Sequence, residues 1–260
     1  MNLRMFQIDA FTDRLFGGNP AAVCPLDGWL DDAVMQAIAA ENNLAETAFF
    51  IPNGAEYDLR WFTPITEMDL CGHATLASAW VVFNELAPER QTVTFSTRSG
   101  NLVVRRDGER LVMDFPAKPA QPCEVPPALR DALGRAPEAV FAADDYMAVF
   151  ASEDDVLALQ PTMDALAQLD RRGVIVTAPG KRSDFVSRFF APKVGIPEDP
   201  VTGAAHCTLV PYWSARLGKR HLHALQVSAR VGELFCEDRG ERVTIAGHAV
   251  KYLEGTIILS

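Results

Sequence analysis

Phe95-Ser96-Thr97-Arg98-Ser99-Gly100-Asn101-Leu102 returns 132 positions later as Val227-Ser228-Ala229-Arg230-Val231-Gly232-Glu233-Leu234. The same offset carries Gly108-Glu109-Arg110 onto Gly240-Glu241-Arg242, so one register serves both blocks. Upstream, Arg60-Trp61-Phe62-Thr63-Pro64 resembles Arg188-Phe189-Phe190-Ala191-Pro192. Each is followed by a Glu and then by a Gly that opens an apolar run: Glu67 with Gly72, and Glu198 with Gly203. The offset drifts by a few residues between blocks, as loop insertions in two diverged copies produce, because loops absorb length changes cheaply. The kept order and spacing argue for duplication over chance. The expectation is two lobes of one design, 1–117 and 118–250, each with a long helix and several strands.

The local signals agree. Residues 74–83 and 204–217 are apolar runs of helix length, each opening beside a Gly after a turn-rich segment. Asp31 is placed to cap a third helix over 33–40. Short strands are expected at 59–62, 92–96, 102–105 and 111–115, the last two flanking an Asp107-Gly108 hairpin turn, and again at 226–228, 234–236 and 243–245 around Arg239-Gly240. The proline-rich stretch from Pro116 to Pro127 can continue neither a helix nor a central strand and divides the lobes.

The chain has 260 residues, 48% hydrophobic and 22% charged, enough for one large or two small cores. A net charge of −10 leaves no broad basic field for a polyanion, so nucleic acid is not an expected partner. The N-terminal residues lack a signal-peptide pattern and no stretch reaches membrane-span length. Cys24, Cys71, Cys123, Cys207 and Cys236 are an odd set without paired spacing, which fits reduced thiols. The expected setting is the cytoplasm.

Glu46 sits in Leu44-Ala45-Glu46-Thr47-Ala48-Phe49-Phe50-Ile51, a strand-like segment of apolar neighbours. Two readings stay open: a carboxyl whose burial raises its pKa for proton transfer, or a strand-entry Glu paired with an arginine. Cys71-Gly72-His73-Ala74-Thr75 and Thr202-Gly203-Ala204-Ala205-His206 occupy equivalent places where a turn enters a helix. Free amides and the positive dipole end make such points anion sites; a Gly there equally serves close packing. His73, in the first turn, is placed to move a proton, and Asp199 precedes the second turn as a cap or a substrate-orienting group.

Other motifs are set aside. Gly180-Lys181-Arg182-Ser183 lacks P-loop spacing, and no Gly-x-Gly-x-x-Gly follows a strand. Ser96, Ser99 and Ser214 lack a nucleophile elbow. His221-Leu222-His223 reads as a polar strand face, and no metal site is expected from Cys71, His73, His206 and Cys207. No cofactor is expected.

Gln7-Ile8-Asp9-Ala10-Phe11-Thr12, Gly18-Asn19-Pro20-Ala21-Ala22-Val23, Glu46-Thr47-Ala48-Phe49, Arg60-Trp61-Phe62-Thr63-Pro64, Cys71-Gly72-His73-Ala74-Thr75-Leu76 and Asp199-Pro200-Val201-Thr202-Gly203 together resemble the PhzF-like phenazine-biosynthesis isomerase family. The resemblance implies the diaminopimelate-epimerase-like fold: α+β, two pseudo-symmetric lobes, each a β-barrel-like sheet wrapped around a central helix, with the site in the cleft between them. It implies that 251–260 return to the first lobe and that the protein is a homodimer. It also implies a cofactor-independent isomerase that moves a proton on a small carboxylated substrate, similar to trans-2,3-dihydro-3-hydroxyanthranilate isomerase. Carried onto matching positions, Glu46 is the acid/base, with His73 and Asp199 beside it.

On this reading, amides at Gly72, His73, Gly203 and Ala204 hold a substrate carboxylate or stabilise developing charge, and Asn19 is a further substrate contact. Two departures stand out. Ala45 replaces a frequent Ser, and Thr202 stands opposite Cys71 where the epimerases place a second thiol, which disfavours a two-thiol mechanism. The alternatives are an amino-acid racemase or epimerase using Cys71 with Glu46, and a small-ligand binding protein without turnover.

Overall fold

The computed structural model describes residues 1–259. Two units emerge, Met1–Asp114 with Ala246–Ser260, and Phe115–Ile245. In the first, Asn19–Pro25 runs parallel to Glu46–Asn53, which is antiparallel to Glu56–Phe62; that strand runs parallel to Thr92–Thr97, which is antiparallel to Gly100–Asp107. The second repeats the series strand for strand. Tyr146–Val149 is parallel to Val174–Pro179, antiparallel in turn to Phe185–Ala191, parallel to His221–Gln226 and antiparallel to Gly232–Asp238. Parallel neighbours need a crossover, and in each unit a buried helix supplies it between the third and fourth strands: Gly72–Val81 or Gly203–Leu217. The fold is α+β, one sheet-and-helix plan used twice.

Gly72–Val81 reads GHATLASAWV, small or apolar on every face, and a helix without a polar face must be buried all round. Every residue from His73 to Ala79 is buried, and the helix packs on strands Asn2–Ala10, Asn19–Pro25 and Glu46–Asn53. It starts two residues before the expected position and unwinds into a π turn, Val82–Leu86. In Gly203–Leu217, Pro211 has no N–H for the carbonyl of Cys207 four residues back. That carbonyl instead accepts from the Lys118 amide at 2.9 Å, so the proline-rich segment repairs the gap.

Helix Asp32–Asn42 buries Met35, Ile38 and Ala39, the i, i+3, i+4 stripe, toward Phe49 and Phe62. Asp31 is its N-cap by position, but its carboxylate makes no capping bond; only its carbonyl accepts, from Val34 and Met35. The expected Asp107-Gly108 turn lies one residue on, at Gly108-Glu109, because Asp107 is still paired with Arg110 and the left-handed φ of 63° falls on Gly108. The strand expected at 226–228 is instead His221–Gln226, with 228–230 forming a turn. The repeated glycines also differ in purpose: Gly100 supplies a turn at φ 94°, whereas a Cβ on Gly232 would lie 2.1 Å from the Val201 side chain. Strand Ala249–Ile258 pairs antiparallel with Asn2–Ala10. Among the described residues, no helix is long and apolar enough to cross a membrane.

Candidate functional site

Glu46 opens strand Glu46–Asn53, and His73 is the second residue of helix Gly72–Val81. Parallel pairing sets Glu46 beside Ala21, and the packed helix brings His73 to it. Glu46 Oε2 lies 3.0 Å from His73 Nε2, with side chains 8% and 5% exposed. Between the two readings left open for Glu46, its ionic partner is this imidazole. The approach is off the line a hydrogen bond requires, so both atoms are buried without a hydrogen bond among the described residues.

The other edge of the ring is crowded. His73 Nδ1 is 3.2 Å from Asn19 Nδ2 and 3.5 Å from Cys71 Sγ. Asn19 follows Gly18, where only glycine fits: φ is 59°, and a Cβ there would sit 2.0 Å from the Ala10 carbonyl oxygen. The structure thus places Asn19 on His73. Burial disfavours charge on the ring, but the Cys71 sulfur and the Glu46 carboxylate outweigh it, and the His73 pKa lies well above the usual imidazole value. Burial, with the Glu46 carboxylate, pushes the Cys71 thiol up to about 11. At neutral pH the sulfur is therefore an uncharged thiol.

Glu46, Cys71 and His73 each offer a metal-ligating atom within 4.8 Å of the others. The close approaches use opposite ring nitrogens, Nδ1 toward sulfur and Nε2 toward carboxylate, so one ion cannot keep both. The arrangement fits a proton relay better than a chelate.

In the second unit, Asp199 ends strand Ile196–Asp199 and is buried. Its Oδ2 accepts from Thr202 Oγ1 at 2.6 Å. Gly203 and Ala204 begin the helix that Thr202 caps, and first-turn amides have no partner inside a helix. His206, one turn on, donates from Nδ1 to the Thr202 carbonyl at 2.9 Å. Burial brings its pKa down to about 4, so it stays neutral. Gln226, fully buried on strand His221–Gln226, bonds to both Asp199 and Thr202. No local sequence signal marks it, because its partners lie more than twenty residues away.

The same brace supports both turns. Arg60 forks onto Glu67 through Nε and Nη2 at 2.7 and 2.8 Å, and Arg188 onto Glu198 at 2.8 and 3.0 Å. Each guanidinium also lies over the phenylalanine two residues on, Phe62 or Phe190. The glutamates noted in the repeat are these partners, and Glu198 directly precedes Asp199. His223 pairs with Glu233 across a strand ladder, the polar face expected there.

Residues 8–255 match the phenazine biosynthesis-like protein family, PhzC-PhzF. The chain is 56% identical over 259 residues to the uncharacterized isomerase PA2770 of Pseudomonas aeruginosa, covering 100% of both. It superposes on the crystal structure of a PhzF-family phenazine biosynthesis protein from Enterococcus faecalis with a TM-score of 0.98, at 46% identity and 100% coverage of both chains. A hydroxyproline epimerase from Agrobacterium vitis shares the fold alone, with a TM-score of 0.64 at 10% identity over 98% of this chain and 92% of that one. Matched end to end by proteins named isomerases, the chain is an isomerase-class enzyme and belongs to the PhzC-PhzF family of phenazine biosynthesis-like proteins.

Proposed function

We propose that this protein shifts a proton within a small carboxylated substrate without a cofactor, similar to trans-2,3-dihydro-3-hydroxyanthranilate isomerase, with Glu46 as the acid/base. The observation that carries the reading is the 3.0 Å approach of Glu46 Oε2 to His73 Nε2, both buried and neither in a hydrogen bond among the described residues. A carboxylate so placed takes a proton from carbon, and the adjacent ring steadies it before the proton returns to another carbon. The amides of Gly72, His73, Gly203 and Ala204, at two helix starts, are the donors assigned to substrate charge. Asp199 is the third polar group of the reading. A homodimer and a cytoplasmic setting go with it, and sedimentation velocity reads the first directly.

The test is NMR-detected deuterium uptake from D2O into dihydro-hydroxyanthranilate-like acids and amino acids. Ring-carbon deuteration that falls at least about 100-fold in Glu46→Gln is expected; full turnover in that variant would overturn the assignment. The second reading, a racemase using Cys71 with Glu46, draws on the 3.5 Å contact of Cys71 with His73. Against it, the thiol is protonated at neutral pH and Thr202 replaces a second thiol. It calls for deuterium at an amino-acid α-carbon, lost in Cys71→Ser.

A further inference from the structure

Hydrogen-bond directions around Gln226 can be followed without ambiguity, because the chain of bonds starts at a backbone amide that can only donate. The Thr202 N–H donates to Gln226 Oε1 at 2.8 Å. That fixes which end of the side-chain amide is oxygen. Gln226 Nε2 must then donate, and it does so twice, to the Asp199 carbonyl at 2.8 Å and to Thr202 Oγ1 at 3.1 Å. Thr202 Oγ1, which accepts the second of these, donates its own proton to Asp199 Oδ2 at 2.6 Å.

From this we infer that Gln226 is a positioning residue which, through Thr202, holds Asp199 as an ionised hydrogen-bond acceptor. A hydroxyl donating to a carboxylate stabilises the charged form, and reversing the Gln226 amide would orphan the buried Thr202 amide and the Asp199 carbonyl. Gln226 is fully buried and Thr202 nearly so, so water does not substitute for either. Glutamine is the side chain the position requires. Ionised glutamate would keep the bond from the Thr202 amide but lose both donations, and methionine would lose all three.

The consequence rests on the proposed function: Asp199 accepts a hydrogen bond from the substrate and does not deliver a proton to it, leaving proton delivery to Glu46. The arrangement differs from its counterpart in the repeat, where Cys71 occupies the place of Thr202 and Met68 that of Asp199. Strand pairing fixes this correspondence, since Trp61 faces Met68 as Phe189 faces Asp199. Only the second copy carries the acceptor.

The experiment is a carboxyl-carbon NMR titration of the full chain, with the Asp199 resonance identified by its loss in Asp199→Asn. In Thr202→Val the Asp199 titration curve moves to higher pH by roughly one unit, and in Gln226→Met it moves the same way by less. Thr202→Ser, which keeps the hydroxyl, restores the wild-type curve; a merely structural role of Thr202 would not produce that pattern. An unmoved curve in folded Thr202→Val, with native amide dispersion, overturns the inference. If Thr202→Val does not fold, an unmoved curve in Gln226→Met does so. Deuterium exchange on the same variants separates the two readings: curves that shift with turnover intact support the network while removing Asp199 from the reaction.

Discussion

A buried imidazole held neutral makes stability depend on pH, because the unfolded chain takes up a proton that the folded chain refuses. His206 has a folded pKa of about 4 against an unfolded value near 6.5, so between those pH values the unfolded state binds more protons. Its contribution is complete above pH 6.5 and is lost as pH falls toward 4, a total of about 3 kcal/mol. His73, with its raised pKa, runs the other way: its contribution is present below pH 6.5 and lost as pH rises through the folded value. The two are separated by a variant. Urea unfolding at pH 7 and pH 4.5 should show a smaller acid loss in His206→Gln than in the wild type; equal losses would refute the assignment. Sequence placed His206 at a helix start, but its neutrality comes from the core around it, where Phe185 and Trp213 stack.

At the scale of elements, the two Arg–Glu forks brace the short strands that lead into the helix starts. Arg188 also donates to the carbonyls of Val156 and Leu159, at the end of helix Glu153–Ala158. Both pairs are mostly buried, with side-chain exposures of 17% and 13% in the first and 14% and 26% in the second. Lysine offers one point charge where the site needs a planar fork, so Arg60→Lys and Arg188→Lys should each cost about 1–3 kcal/mol in chemical denaturation. Wild-type midpoints in both would show that the forks do not brace the turns. The repeat made these residues visible before the structure: Arg60, Glu67, Arg188 and Glu198 stand out because the order of the blocks recurs. Their pairing did not, since an arginine seven or ten residues from a glutamate meets it only once the strands have folded back.

For the molecule as a whole, the first unit is discontinuous: its Asn2–Ala10 strand lies between Asn19–Pro25 and Ala249–Ile258, from opposite ends of the chain. Removing 249–260 opens one edge of Asn2–Ala10 and leaves a row of unpaired amides and carbonyls. The truncated chain should aggregate or bind a hydrophobic dye strongly; a soluble monomer with native unfolding midpoint would show that the last strand is dispensable. By contrast, Phe115–Ile245 is one continuous stretch.

Periodicity, turn residues and motif spacing are written locally, so the duplicated plan, the two apolar helices and the family were legible in the chain alone. So was the standing of Glu46 and His73 as titratable groups among apolar neighbours. It took the folded structure to establish that Glu46 meets an imidazole and not an arginine, that Asn19 and Cys71 crowd the same ring nitrogen, and that Gln226 sets the direction of the bonds at Asp199. Most of those contacts join residues distant in the chain, and burial gives each its strength. Neither the approach nor the burial exists until the strands have paired and the helices have packed.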